Sequence, residues 1–249
     1  MTIVHGVQIL KAPCCGQRYA FPRYVSANFS AFEYWTDGWR EGSLMPNDEG
    51  LRHCQCGRFI RVAEMIPIDI AEDSDLPSMA YVKSNLLPQC IAQATDEKME
   101  VAARRSYWHH LNHPYREIFR LHRDAEEDAT KALWHVKHPD TRNWWDKFRG
   151  KKPPDYKRPP DSPFTYPAFQ PSTEQIGNMD RLSEILLQWN QAAQGTHALE
   201  LAELYREQGR FEEAQHHIRS KANDHNLVTA RLIHRLIDKK DTAPMRYRL

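Results

Sequence analysis

Four of the five cysteines fall in two tight pairs, Cys14-Cys15 in KAPCCGQRY and Cys54-Gln55-Cys56 in LRHCQCGRF. Each pair ends in Cys-Gly. Thiolates are soft donors that suit zinc, and two β-hairpin tips clamping one ion make a zinc ribbon. A regular tip reads Cys-x-x-Cys-Gly. Here the position three before Cys15 is Ala12, and the position three before Cys56 is His53. Imidazole can replace a thiolate as a zinc ligand; a methyl group cannot. The expected set is therefore Cys15, His53 and Cys56, with the fourth place falling to Cys14, Cys54, His5 or water. Adjacent Cys14 and Cys15 diverge in extended backbone, so joint use of both requires a special turn. The competing expectation is a ribbon that has lost its metal and closes by packing.

Such tips need strands to carry them. Residues 1–68 read as a β-rich, zinc-ribbon-like module. Apolar runs at 7–10 and 19–21 flank the first cysteine pair, and 59–65 follows the second. Asp37-Gly38 lies between aromatic-rich runs, the signature of a two-residue hairpin. Residues 69–94, acidic and proline-containing at their start, read as a connector. Helical periodicity begins near Thr95 and defines a helical region over 95–145. Pro114 splits it into one helix that stops there and another that starts there. In the second, Ile118, Leu121, Ala125, Ala129, Ala132 and Val136 share one face. Residues 146–171 hold many of the sixteen prolines. Proline lacks a donor and fixes φ, so this is a linker or an arm lying across a surface. Ser172 followed by Gln175 resembles a capping box, opening a second helical region over 172–240. The basic tail 241–249 is expected to fray.

CCGQRY, SANFSAFEYWTDGW, HCQCGRF and LAELYREQGRFEEAQHHI together resemble a group of uncharacterised bacterial proteins. These join an N-terminal zinc-ribbon-like module to a helical C-terminal region. Pro13, Cys15, Gly16, Ser26, Asn28, Trp35, Asp37, Gly38, Cys56 and Gly57 fit that pattern, while Ala12 and His53 depart from it. The resemblance implies an α+β architecture and supplies no activity. Leu201, Ala202, Tyr205, Gly209, Phe211, Ala214 and Ile218 resemble one copy of a tetratricopeptide repeat. Ala202 and Ala214 would let two antiparallel helices approach, with Gly209 at the turn. A solenoid needs about three copies, so the expectation is a TPR-like hairpin inside a helical bundle.

Composition restricts the function classes. The chain has 249 residues, 41% hydrophobic and 27% charged, with a formal net charge of +1. That balance creates no global field toward nucleic acid or an acidic membrane. No apolar run reaches membrane-spanning length, and the first residues lack the pattern of a secretory leader. With Cys90 alone, the cysteine count suits a reducing, cytoplasmic setting better than a disulfide framework.

Other groups have two readings. His109 and His113 are four apart on a helix, but no carboxylate accompanies them, so an ordinary polar helix end is favoured over a metal site. His135 and His138 read the same way. Trp134, Trp144 and Trp145 lie among Lys137, Arg142, Lys147, Arg149, Lys151 and Lys152, a mixture that can grip single-stranded nucleic acid. It can equally be a bundle edge with solvated lysines, given Asp140, Asp146 and Asp155 nearby. Tyr156, Phe164, Tyr166 and Phe169 would anchor the proline-rich arm or bind a partner. Glu33 and Asp37 could serve as bases only by assumption, and no metal-hydrolase, P-loop, dinucleotide or serine-elbow motif accompanies them. The sequence therefore leads to a non-enzymatic bacterial protein that binds another protein, of the immunity or antitoxin type that neutralises a toxin. A nucleic-acid-binding zinc-ribbon regulator, and a toxin or effector enzyme with an unrecognised site, are the alternatives.

Overall fold

Short antiparallel strands fill the N-terminal part of the chain and helices the rest, an α+β arrangement. The computed structural model describes residues 3–26, 31–42, 49–156, 165–192, 196–219 and 227–247. The strands are β1 (Ile3–Lys11), β2 (Arg18–Ser26), β3 (Glu33–Trp35), β4 (Arg40–Glu41), β5 (Leu51–His53), β6 (Phe59–Arg61), β7 (Ile66–Ala71), β8 (Ala80–Tyr81) and β9 (Arg246–Tyr247). The helices are α1 (Leu87–Ala92), α2 (Glu97–Lys137), α3 (Trp144–Phe148), α4 (Thr173–Ala192), α5 (Ala198–Glu207), α6 (Phe211–Arg219) and α7 (Leu227–Asp238).

The strands form three small sheets, ordered β2-β1-β7, β4-β3-β9 and β6-β5-β8. Two hairpins carry the cysteine pairs: β1 with β2, and β5 with β6. Leu10, Tyr19, Ile60, Met65 and Met79 pack beneath them, together with Ala12 and Cys54. The Asp37-Gly38 segment turns β3 into β4, as the aromatic runs around it predict. Residues 69–94 contain β8 and α1 and do more than connect. Leu87 and Cys90 of α1 enter a core with Leu51, Phe59 and Met99. Phe164 of the arm lies outside the described residues.

The chain divides into two compact units, Met1–Asn112 with Gln170–Leu249, and His113–Phe169. In the first, α5 packs on α4, α6 and α7. Leu182, Ile185, Leu186, Leu201, Leu204, Ile218 and Ile233 supply the apolar interior. Ala202 and Ala214 are wholly buried, which is how α5 and α6 approach closely. Ser172 and Gln175 form the reciprocal cap that opens α4: each backbone N–H donates to the other's side chain, at 2.8 and 3.2 Å. In the second unit, the described parts of the proline-rich arm lie along α2. Tyr115 Oη donates to the Pro167 carbonyl at 3.0 Å, its ring meets Phe169 edge-on, and Trp134 meets Tyr156 edge-on.

Two local expectations are corrected. The helix does not stop at Pro114; α2 runs unbroken for 41 residues with that proline inside it. Proline removes one main-chain bond, to the carbonyl four residues earlier. Buried Trp108 and Asn112 before it, and Tyr115 and Phe119 after it, hold both flanks helical. The described part of the tail, through Tyr247, is not frayed either. Tyr247 and Arg246 pair with Tyr34 and Trp35, the Thr36 N–H donates to the Met245 carbonyl at 3.0 Å, and Met245 N–H donates back to Thr36 Oγ1 at 2.9 Å.

Candidate metal centre

Both cysteine pairs sit at hairpin tips closed by a pair of main-chain bonds, the first tip one residue longer than the second. In the first, Ala12 N–H donates to the Gln17 carbonyl at 2.8 Å and Gly16 N–H donates to the Ala12 carbonyl at 2.9 Å. In the second, Cys54 N–H donates to the Arg58 carbonyl at 2.8 Å and Gly57 N–H to the Cys54 carbonyl at 2.9 Å. Gly16 and Gly57 close these turns at φ of +76° and +86°, a region that side chains disfavour. The tight tips turn the thiols toward one another.

The result is a four-sulfur cluster. Cys14 Sγ lies 3.4 Å from Cys56 Sγ, and Cys15 Sγ lies 3.5 Å from Cys54 Sγ. All four sulfurs fall within 4.8 Å of one another. Four thiolates around a tetrahedral zinc, each at about 2.3 Å, stand about 3.8 Å apart. The observed spacing fits a single ion of that size, and no S–S distance approaches a disulfide bond. The special turn that joint use of Cys14 and Cys15 demands is present.

Tyr19 supports the cluster from below. Its hydroxyl contacts Cys54 Sγ at 3.3 Å and accepts the Gln55 N–H at 3.1 Å. Where the hydroxyl donates to the sulfur, it favours the Cys54 thiolate. Burial pushes the Cys54 thiol up, but the bonds from Tyr19, the Cys56 backbone and the neighbouring thiols outweigh it and bring it down to about 7. Burial first, then hydrogen bonds with the Cys56, Cys54 and Cys15 thiols, push Cys14 well up. Four clustered sulfurs resist ionising together, and a divalent cation at their centre is what reverses that.

His53 lies outside the cluster. It precedes Cys54 at the end of β5, and successive residues of a strand face opposite sides. Its ring stacks on Phe59 with centroids 4.8 Å apart. Ala12 is fully buried in the core beneath the tips, so packing takes the place of a regular first ligand, and the sulfur that joins the cluster from this tip beside Cys15 is that of Cys14. His5 is exposed on β1. Cys90 is a buried thiol pushed up to about 11 by its apolar surroundings. Comparison with protein families, curated proteins and solved structures finds no match. The site must therefore be read from its own geometry.

Buried carboxylates form a second cluster, which sequence alone does not reveal. Asn112 sits at its centre. Gln175 Nε2 donates to Asn112 Oδ1 at 3.0 Å, and Asn112 Nδ2 donates to Asp37 Oδ2 at 3.1 Å and to Glu207 at 3.0 Å. Trp108 Nε1 donates to Glu207 at 2.7 Å, and the Trp39 N–H to Asp37 at 3.0 Å. His109 Nε2 donates to the Asp37 carbonyl at 2.9 Å. Burial first, then the charges of Glu203 and Asp37, push the Glu207 carboxyl well above its ordinary value. Glu33 accepts from Trp35 Nε1 and from Arg246. These carboxylates tie the Asp37 turn, α2, α4, α5 and the tail together, and each already holds hydrogen bonds. A cavity of about 330 Å³ opens beside them, lined by Trp35, Asp37, His109, Arg105, Glu200 and Tyr247, among others. Arg105 is held there by Glu200 at 2.7 Å and Glu49 at 2.8 Å, so its charge is satisfied within the protein.

The remaining histidines and tryptophans separate by burial. His109 is buried, whereas His113 and His135 are exposed. Trp134 stacks on His138 at 4.5 Å. Trp144 and Trp145 stack on each other at 4.1 Å and stand 64% and 52% exposed, with Phe148 at 78%.

Proposed function

We propose that the protein is a non-enzymatic binding protein in which a structural zinc ion, held by Cys14, Cys15, Cys54 and Cys56, clips two hairpins together. The observation that carries this reading is the closure of four sulfurs from two hairpin tips into one tetrahedral-sized group. A complete thiolate set leaves no open position for water, which is the mark of a structural and not a catalytic zinc. Free thiolates of this kind belong in a reducing cytoplasm.

The partner is a protein, and a toxin neutralised by an immunity or antitoxin-type protein is the specific form we favour. Exposed Trp144, Trp145 and Phe148 present aromatic area of the type that anchors protein interfaces. The nearby cations argue against nucleic acid. Arg142 pairs with Asp140 at 2.8 Å, Lys147 lies 3.9 Å from the same carboxylate, and Lys151 lies 3.7 Å from Asp146. Phosphates would have to displace those acids.

Native mass spectrometry of the protein from its own cytosol tests both halves. One zinc per chain and a protein partner lost in a Trp144→Ala, Trp145→Ala variant are expected. Absence of zinc would sink the metal reading. Binding to single-stranded nucleic acid that weakens steeply with salt, with no protein partner, would replace the second half by the regulator reading.

A further inference from the structure

Among the described residues, the apolar face that sequence periodicity marks on the second half of α2 stays largely exposed. Ile118, Leu121, Leu133 and Val136 are 53%, 70%, 66% and 79% exposed, and Ala125, Ala129 and Ala132 between them are also exposed. The helix buries a different face, that of Tyr115 and Phe119, against the aromatic residues of the arm. At 1.5 Å per residue the exposed stripe is about 27 Å long. Aliphatic side chains at these exposures offer roughly 400 Å², at the scale of the largest apolar patch on an ordinary monomer.

The order of side-chain sizes along the stripe identifies what covers it. Ile118 and Val136 are equally far from Glu127, one on each side; so are Leu121 and Leu133, and so are Ala125 and Ala129. Ala132, whose counterpart is His122, is the exception; otherwise the stripe reads the same in both directions, with β-branched residues at its ends, leucines inside them and alanines at the middle. A twofold interface requires such self-complementarity, because residue i must meet residue j while j meets i. Two antiparallel copies centred at residue 127 place Ile118 on Val136, Leu121 on Leu133 and Ala125 on Ala129. The central alanines permit close approach of the axes where the helices cross. A heterologous partner would impose no such symmetry.

We propose that the second half of α2 is a homodimer interface, in which two copies of this chain pair antiparallel through Ile118, Leu121, Ala125, Ala129, Leu133 and Val136. This inference stands apart from the zinc and partner readings. The area is about half of the ~800 Å² per partner usual for a stable complex, so the dimer is reversible and depends on concentration.

Sedimentation equilibrium of the full zinc-loaded chain, from micromolar to millimolar concentration, tests it. A monomer–dimer equilibrium is expected, and Leu121→Glu should weaken it by ~100-fold, since the twofold places the new charge in the interface twice. These side chains are exposed, so circular dichroism and melting of that variant should match the parent. Orientation is read by mild oxidation, with the disulfide located by mass spectrometry. A mixture of Leu121→Cys and Leu133→Cys chains should cross-link as a heterodimer, while neither alone should. A chain that stays monomeric at millimolar concentration would overturn the proposal, whether or not it sediments with lipid vesicles. So would a dimer that persists in Leu121→Glu, or self-linking of Leu121→Cys, which signals parallel pairing.

Discussion

Arg206→Met should be among the most damaging single changes outside the apolar core. Arg206 and Glu203 form an ion pair in which neither side chain has any exposure. Nε and Nη2 donate to the two carboxylate oxygens at 2.8 and 2.6 Å. Nη2 also donates to the Ala243 carbonyl at 3.0 Å, and Nη1 to the Asp241 carbonyl. Methionine fills much of the same volume, so little cavity forms. What remains is an unpaired buried carboxylate beside Glu207, and two carbonyls without their donor. Breaking a buried pair by removing one partner costs about 3–5 kcal/mol. In a unit of this size each kcal/mol moves Tm by about 2–4 °C, so Tm should fall by roughly 6–20 °C. Thermal and urea unfolding of the zinc-loaded protein measure the loss. Hydrogen exchange across 241–247 should rise, because the guanidinium pins that segment under α5. Removing both charges, in Glu203→Leu with Arg206→Met, should recover most of the stability, to within about 2 kcal/mol of the parent. A loss below 1 kcal/mol in Arg206→Met, or a double variant as unstable as the single one, would refute the reasoning.

Further outcomes follow from the same geometry. Cys54→Ser should abolish stoichiometric zinc and His53→Ala should retain it, as read by metal analysis, while Tyr19→Phe should weaken zinc by ~10–100-fold in a chelator competition. Burial, then the charges of Glu203 and Asp37, raise the folded Glu207 carboxyl well above the ordinary 4.5. Its contribution is complete below that ordinary value and is lost as pH rises toward the folded one. Glu207→Gln should therefore flatten the fall in stability with rising pH, matching the parent in acid and exceeding it at neutral pH, as checked by urea midpoints across pH. Gly209 turns α5 into α6 at φ +77°, with only Thr242 Cγ2 near a Cβ position at 3.9 Å. Gly209→Ala should thus cost about 1–2 kcal/mol through backbone strain alone, and a neutral effect in thermal melts would refute that.

Local signals in the sequence survive in the structure where local physics decides. Cys-Gly tips, the Asp37-Gly38 turn and the Ser172/Gln175 cap are each settled by a few adjacent residues, and each lies where its chemistry predicts. The fold class was legible for the same reason: period-two runs give way to period-three-and-a-half runs near Thr95. The membership of the sulfur cluster was harder to read. A Cys-x-x-Cys template puts His53 in the group, but the strand continues through His53 and only the turn after it faces the cluster. Pro114 misleads in the opposite sense. One lost hydrogen bond is a strong local stop signal, yet tertiary burial on both sides outweighs it. Nothing local announces the Asp37–Asn112–Glu207 group, whose members are 75 and 95 positions apart.

The cysteine cluster and the buried polar group answer the same problem. β3, β5 and β6 have three residues each, and β4, β8 and β9 have two. Strands this short do not hold together by pairing alone. At the cysteine tips the remedy is the cluster of four sulfurs that brings two hairpins together, and the cation we propose there would make their separation costly. Around Asp37 it is a set of directed hydrogen bonds to α2, α4 and α5, with the C-terminal strand added to the edge of β3. The ribbon-like part is therefore not an independent module beside a helical one. Cutting the chain after residue 68 would keep the four thiols but remove Asn112, Glu207, Thr36's main-chain partner Met245, and the α1 and α2 residues that cover Leu51 and Phe59. A 1–68 fragment should bind zinc with its tips while its Trp35–Trp39 turn stays unstructured, which tryptophan fluorescence and amide exchange would distinguish from an autonomous domain.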